Sequence, residues 1–443
     1  MSIQVNQNLV GLYSKKTWTA KKYLTAGGQG EIWLVADDQN QEYVLKWYFL
    51  HQATEQQKAA ISALITAHRP KNPPWPIEAV KRFVWPIDLI NPHGSGQFGY
   101  IMEKIDTEKY IEMGELHRRG KQLPFAILAE IGYQLAQSYR ALHLEGLCYC
   151  DISKGNMLFD PDTGNVLICD NDNVGENGKV KSQILGTWEF MAPEIILGNA
   201  APSTQTDLHS LATLLFYLWM CHHPLHGNLE SAIRSWDIPA KRRIYGENPV
   251  FIFDPNDKSN RPDDPDYETV RKLWELCPQK IKDLFVKAFT EGLRNPDRRV
   301  TEGEWQRAFL QLKENNLQCP HCNIENNLWA QDASELLCWK CKKKISVPGY
   351  LAIGMNFHLA LVTGVKLKSS HLNPEWSSDE ILGEMVENPN NPGNWGIRNH
   401  TQDTWKITFA DGEIKEVPPG RAAPLADKLS FTLKGVQIKI ISN

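Results

Sequence analysis

The sequence predicts an α+β protein built of several units, and three observations carry that prediction. The chain opens with strand patterns around a glycine-rich turn, Gly27, Gly28 and Gly30, with Tyr43 to Phe49 as a further strand. Its middle carries a helical run from Phe125 to Leu144 and an apolar stretch from Leu211 to Cys221. Towards the C-terminus come four cysteines in two CxxC pairs, then short β-patterned segments divided by turn residues.

The 443 residues suffice for two to four domains of about 100 to 200 residues each. A hydrophobic share of 42% and a charged share of 23% are ordinary globular values, which excludes a disordered or collagen-like chain. Leu211 to Cys221 is about half the length that crosses a bilayer, so it predicts a buried helix rather than a membrane span. Met1 to Val10 lacks a basic region followed by an apolar core, so no secretory signal is expected and the protein is placed in the cytoplasm. Lys plus Arg number 48 against 52 for Asp plus Glu, and a net charge of -4 offers no global field to draw in nucleic acid.

Taken in order, the segment Tyr23 to Val35 places its glycines where backbone N–H groups can close over phosphates, although such hairpins also serve simply as turns. Lys46 sits inside an apolar strand, where an ammonium calls for an anionic partner unless the strand is an edge facing solvent. After the Phe125 to Leu144 run, Tyr149 to Asn156 sets Asp151 and Asn156 five positions apart on one loop. There they can act as base and metal ligand for a single phosphoryl transfer. Val166 to Asp170 reads as a buried strand ending in a carboxylate, which suits a second Mg²⁺ ligand. Gly186 to Glu194 follows, and Asp207 opens the apolar helix.

The order and spacing of these segments resemble the eukaryotic-type protein kinase family over residues 20 to 312. The resemblance implies a bilobal fold, with an N-lobe and N-terminal arm over residues 1–105 and a C-lobe over 106–316. It implies that Thr25, Gly27 and Gly30 fill the three positions of the nucleotide loop, Thr25 departing from the glycine pattern. Lys46 would hold the α- and β-phosphates of ATP, and the backbone of Met102, Glu103, Lys104 and Ile105 would form the adenine hinge. Asp151 resembles the catalytic base, and Asn156 and Asp170 the Mg²⁺ ligands. Ala192-Pro193-Glu194 would end the activation segment with Glu194 paired to Arg299, and Asp207 would brace the catalytic loop. Elimination supplies a partner for Lys46: Glu55 is the one acidic residue between Lys46 and Glu78, in the helical stretch Ala53 to Ala67. Its nine-position gap is shorter than the family shows, and a helix-start carboxylate favoured by the dipole is the competing account.

Departures from the family pattern carry expectations too. Cys150 replaces the arginine that reads a phosphorylated activation loop, so that switch should not be needed. Ser153 stands where Ser/Thr kinases carry a lysine, which makes Lys154 the candidate to reach the γ-phosphate instead. Asn171 and Asp172 follow Asp170 in place of Phe-Gly and add a charge near the metals. Thr187 matches the threonine that contacts the catalytic aspartate in Ser/Thr kinases, and Ser182 and Thr187 are the hydroxyls between Asp170 and Glu194. The expected activity is Mg²⁺-ATP-dependent phosphorylation of protein Ser and Thr, autophosphorylation included, in bacterial signalling. An ATP-binding pseudokinase scaffold and a nucleic-acid adaptor are the alternatives. Between Leu225 and Arg294 the resemblance loosens, and Tyr245 to Pro262, rich in Asn, Asp and Pro, reads as an inserted surface segment. The Cys221 to His226 cluster reads as structural.

Cys319, Cys322, Cys338 and Cys341 form two CxxC pairs separated by 15 residues, a spacing that predicts a closed, structural Zn²⁺ ribbon over residues 317–347. In so small a module the metal would supply about 10 to 16 kcal/mol of folding free energy. Redox-active CxxC pairs are the rival reading. Residues 348–443 read as β-rich, with a hairpin around Asp411-Gly412 and two strands within Lys428 to Ile441. This tail resembles forkhead-associated (FHA) β-sandwiches, but the Arg and Ser that hold phosphate there find no match, which leaves a scaffold sandwich as the default. The whole order resembles bacterial kinases associated with tellurite-resistance-type gene sets. That implies a metal-dependent Ser/Thr phosphatase and a von Willebrand factor A-type protein as partners beside protein substrates, with neither membrane nor nucleic acid expected.

Overall fold

Alternating side chains give the first sheet its two uses. In the computed structural model, strands β1 (Asn8–Val10), β2 (Thr17–Ala26), β3 (Gly30–Ala36), β4 (Glu42–Tyr48), β5 (Asp88–Ile90) and β6 (Gly99–Glu103) form one antiparallel sheet in the order β1-β2-β3-β4-β6-β5. Leu45 and Trp47 of β4 face a core with Trp18, Trp33, Val35 and Ile101, closed from outside by Ile3 and Leu9 of the N-terminal arm. Lys46 and Tyr48, offset by one residue, point to the opposite face. There Tyr48 packs with Ile61, Leu89, Phe98 and Tyr100 beneath helix α1 (Glu55–Ala63). Thr54 caps α1 by accepting from the Gln57 N–H at 3.1 Å. The structure describes residues 3–68, 77–92, 96–118, 123–179, 186–327, 337–345, 347, 349–354, 357–361, 365–373, 380–388, 391, 394–426 and 428–442.

The second unit is helical, and its core is continuous. The Phe125–Leu144 and Thr204–Met220 helices are apolar around most of their circumference and are buried, as such patterning requires. The Glu302–Glu314 helix lies against the first of these so closely that a Cβ on Gly132 would meet the Phe309 ring at 2.6 Å. Among the described residues no helix is long and apolar enough to cross a membrane. The stretch expected as a surface insertion is in part core: Phe251 and Ile252 are fully buried, and Phe251 packs edge-on against Phe216. Its turn residues flank Phe251 and Phe253, and both rings pack against Trp274 of the Glu268–Leu276 helix. In the Cys221 to His226 segment, His223 is buried with its Nε2 at 2.8 Å from the Glu189 carbonyl, and His226 bonds the Tyr245 hydroxyl.

Two smaller units follow. The strands Asn316–Gln318 and Glu325–Asn327 pair beside the four cysteines, and Leu337 bridges to Lys344. The C-terminal part holds a six-stranded and a four-stranded antiparallel sheet that share one apolar core, including Leu351, Leu359, Ile397 and Trp405. The hairpin around Asp411-Gly412 forms from Trp405–Thr408 and Ile414–Val417, with Gly412 at φ +88°. This tail is joined to the helical unit by more than the chain. Leu310 of the Glu302–Glu314 helix belongs to the tail's core. The Asn315 amide donates to the His358 carbonyl at 2.6 Å and accepts from the Ala360 N–H at 2.9 Å.

Candidate active site

Asp151 stands at the centre of the site, on the loop after the short strand Leu147–Cys148. One carboxylate oxygen accepts from the N–H and the hydroxyl of Thr187, at 3.0 and 3.2 Å. The other accepts from the Asn156 amide nitrogen at 3.2 Å, and that same nitrogen bonds the Asp151 carbonyl at 3.0 Å. Burial raises the Asp151 pKa; the Thr187 and Asn156 hydrogen bonds oppose this and Asp170 adds to it. Below the loop, Asp207 accepts from the Tyr149 and Cys150 N–H groups at 2.5 and 3.1 Å, which satisfies a backbone kinked through the positive φ of Cys150. Asp207 also meets His143 Nε2 at 3.0 Å, and Glu302 meets the other ring nitrogen. Burial alone would lower the His143 pKa, but the two carboxylates outweigh it and push it up to about 9. Glu194 and Arg299 form a two-pronged ion pair at 2.7 and 2.8 Å.

Asp170 ends the strand Val166–Ile168 and turns the chain through a left-handed conformation, φ +52°, into the short turn Asn171–Asn173. Its carboxylate reaches Lys46 at 3.3 Å. Burial would lower the Lys46 pKa, but Asp172 and Asp170 raise it. The glycine turn closes through a Gly27 N–H to Gly30 carbonyl bond of 2.9 Å. A Cβ at Gly27 or Gly28 would meet nothing within 4 Å, whereas one on Gly30 would sit 2.2 Å from the Trp47 carbonyl. Met102 and Glu103 end β6, and the chain leaves the sheet through Lys104 and Ile105 towards the helical unit. Asp170 and Asn156 offer the oxygen donors that Mg²⁺ takes. With Lys46 beside Asp170 and the glycine turn opening the strand that pairs with β4, these residues fit a magnesium-bound nucleotide.

One expectation is corrected. Glu55 is not beside Lys46: it opens α1 on the solvent side, 89% exposed, with Lys58 at 3.5 Å. The N-terminal end of a short helix carries it away from the cleft, and Asp172 stands 3.0 Å from Lys46 in its stead. The Lys154 ammonium is 3.6 Å from Glu189 and lies over the Tyr217 ring. Ser182 lies outside the described residues. Sequence reasoning missed Tyr48 and Gln57, which both bond Asp172; the signal for Tyr48 was its two-residue offset from Lys46 on one strand.

The four cysteines form a second site. Cys319 and Cys341 sulfurs are 3.7 Å apart, Cys322 and Cys338 sulfurs 3.6 Å, and all four lie within 4.8 Å of one another as free thiols. A tetrahedral ion with bonds of about 2.3 Å sets its ligand sulfurs about 3.8 Å apart, so the donor set fits zinc. The His321 and Cys341 N–H groups point at Cys319 and Cys338 sulfurs, at 3.4 and 3.5 Å. Against burial, such donors from Cys341 and Lys340 bring the Cys338 thiol down to about 6.

Residues 18–306 match the protein kinase domain family. Glycogen synthase kinase 1 of Pyricularia oryzae is 27% identical over 195 residues, covering 39% of this chain and 49% of that protein. Glycogen synthase kinase 3 of Trypanosoma brucei brucei is 23% identical over 235 residues, covering 50% and 64%. The chain thus spans about half the length of the curated relatives it matches. With that match extending over most of its length, the chain belongs to the protein kinase domain family.

Proposed function

We propose that this chain transfers the γ-phosphate of ATP to serine and threonine hydroxyls of proteins, its own included. Family membership implies ATP and Mg²⁺, which when bound supply the phosphoryl group and neutralise its charge. Asp151 orients and deprotonates the acceptor hydroxyl, and Asn156 and Asp170 hold the metal. Lys46 and the Gly27, Gly28 and Gly30 turn take the phosphates, with Met102, Glu103 and Ile105 along the adenine edge.

The observation that carries this reading is the grip on Asp151 from two sides. The Thr187 hydroxyl and the Asn156 amide each donate to a different carboxylate oxygen of Asp151, both at 3.2 Å, which supports a fixed orientation for a base there. The same threonine contact supports Ser/Thr rather than Tyr acceptors. We further propose the boundaries 1–105, 106–316, 317–347 and 348–443 for N-lobe, C-lobe, ribbon and tail, with structural Zn²⁺ on the four cysteines. The tail's two sheets over one core support an FHA-like scaffold. A metal-dependent Ser/Thr phosphatase and a von Willebrand factor A-type protein, in bacterial signalling, are the proposed partners.

The test is Mg²⁺-ATP-dependent phosphate incorporation by the purified, zinc-loaded chain, mapped by mass spectrometry beside Asp151→Asn. Loss of the base should lower incorporation by about a hundredfold or more. Equal incorporation in the variant would remove Asp151 from the role of base, and nucleotide binding without transfer in the parent, alone and with its candidate partners, would sink the reading in favour of a scaffold.

A further inference from the structure

Every buried ammonium needs a counter-ion, and Lys46 has an unusual one. Its nitrogen is 3.0 Å from Asp172 and 3.3 Å from Asp170. Of the two carboxylates, Asp170 is partly open to the cleft, as a metal ligand must be, whereas the Asp172 side chain is fully buried. The Tyr48 hydroxyl donates to the Asp172 oxygen that meets Lys46. Gln57 of α1 donates to the Asp172 backbone carbonyl at 3.2 Å, and its amide also lies 3.4 Å from the Tyr48 hydroxyl. The second carboxylate oxygen of Asp172 is buried without a hydrogen-bond partner. A carboxylate held that deep persists only if an opposite charge compensates its lost hydration, and Lys46 is the cation in contact with it.

We propose that Asp172 is the positioning residue for Lys46, holding the ammonium where the nucleotide phosphates come to lie and replacing a helix-borne glutamate in that duty. This rests on the kinase reading above and deepens it. The replacement changes what controls the site. Asp172 lies on the same three-residue turn that leaves Asp170, so one turn sets both the metal ligand and the counter-ion of the phosphate-binding lysine. A swing of α1 is then not needed to complete the ion pair, because α1 enters through the neutral Gln57 and not through a charge. Glu55, facing solvent beside Lys58, has no part in it.

The test uses the full zinc-loaded chain as parent, Asp172→Asn, Tyr48→Phe and Glu55→Gln. Without nucleotide, brief acetylation of amines mapped by mass spectrometry reads how well Lys46 is held. Labelling of Lys46 should rise several-fold in Asp172→Asn, less in Tyr48→Phe, and stay at the parent level in Glu55→Gln. Affinity for a fluorescent ATP analogue should fall about tenfold or more in Asp172→Asn, as expected when one member of a buried charge pair is removed. In Glu55→Gln, affinity, KM for ATP and kcat should all stay at the parent level. Unchanged Lys46 labelling in Asp172→Asn, or a rise in Glu55→Gln, would overturn the proposal. So would an Asp172→Asn protein whose one defect is a higher Mg²⁺ requirement, which would make Asp172 a metal ligand instead. Should Asp172→Asn fail to fold, Tyr48→Phe, which removes one oxygen, carries the same comparison. A parent that transfers no phosphate would defeat the kinase reading while leaving the labelling result to judge Asp172.

Discussion

Glu194 and Arg299 join the short helix Pro193–Ile196 to the loop before the Glu302–Glu314 helix, and the guanidinium is buried. Glu194→Ala would leave that charge uncompensated apart from its bonds to the Gly292 and Gln205 carbonyls, and should cost about 3 kcal/mol in denaturant unfolding. A loss below about 1 kcal/mol would mean that the carbonyls alone satisfy Arg299. His143 provides a pH signature at the same scale. Its folded pKa, about 9, lies above the value of about 6.5 for a free histidine, so its contribution is complete below that lower value. The contribution is lost as pH rises through about 9. Melting temperatures followed across that window should fall more steeply in the parent than in His143→Gln; parallel curves would show that the ring carries no proton between Asp207 and Glu302.

Among the elements, the glycine turn and the strand behind it respond to different demands. Gly30 faces the Trp47 carbonyl at a distance no Cβ tolerates, so Gly30→Ala should force β3 from β4 and cost about 1 to 3 kcal/mol. Gly28 has open space around it, so Gly28→Ala should leave stability within about 0.5 kcal/mol. Thermal melts of the two variants separate a packing glycine from one needed by the ligand alone, and equal losses would contradict the geometry. The Glu302–Glu314 helix opens with a reciprocal capping box, Thr301 and Glu304, and Thr301→Ala should cost about 1 kcal/mol.

Across the whole molecule, the ribbon is fastened to the helical unit. The Glu325 carboxylate accepts from the Phe125 and Ala126 N–H groups, at 2.7 and 3.3 Å, and so caps the N-terminus of the long helix. Asn326 and Trp339 tie that same strand to Cys338 and to the second cysteine pair. Removing zinc with a chelator should therefore reduce hydrogen-exchange protection in the first turns of the Phe125–Leu144 helix as well as in the ribbon. Protection lost from the ribbon alone would show that the cap outlives the metal. Acid should loosen the tail's joint: burial opposes ionisation of Glu314, but His371 and Lys368 bring its pKa down to about 2. That contribution is present above the free carboxylate range, about 4.3, and is lost as pH falls towards 2.

Local pattern sufficed for much of this protein. The Phe125 to Leu144 helix, the hairpin around Asp411-Gly412 and the cysteine quartet are each written in adjacent residues, because periodicity, turn chemistry and ligand spacing act over short stretches of chain. Asp151 and Asn156 meet for the same reason, since one loop carries both. What only the tertiary structure decided is which charge meets which. Glu55 and Asp172 are both acidic, and nearness in sequence favoured Glu55. Helix phase turned Glu55 outward, and the left-handed bend at Asp170 drove Asp172 under Lys46, 126 positions away in sequence. Burial at Phe251 and the ribbon's cap on a distant helix likewise depend on surfaces that exist only once remote segments have met.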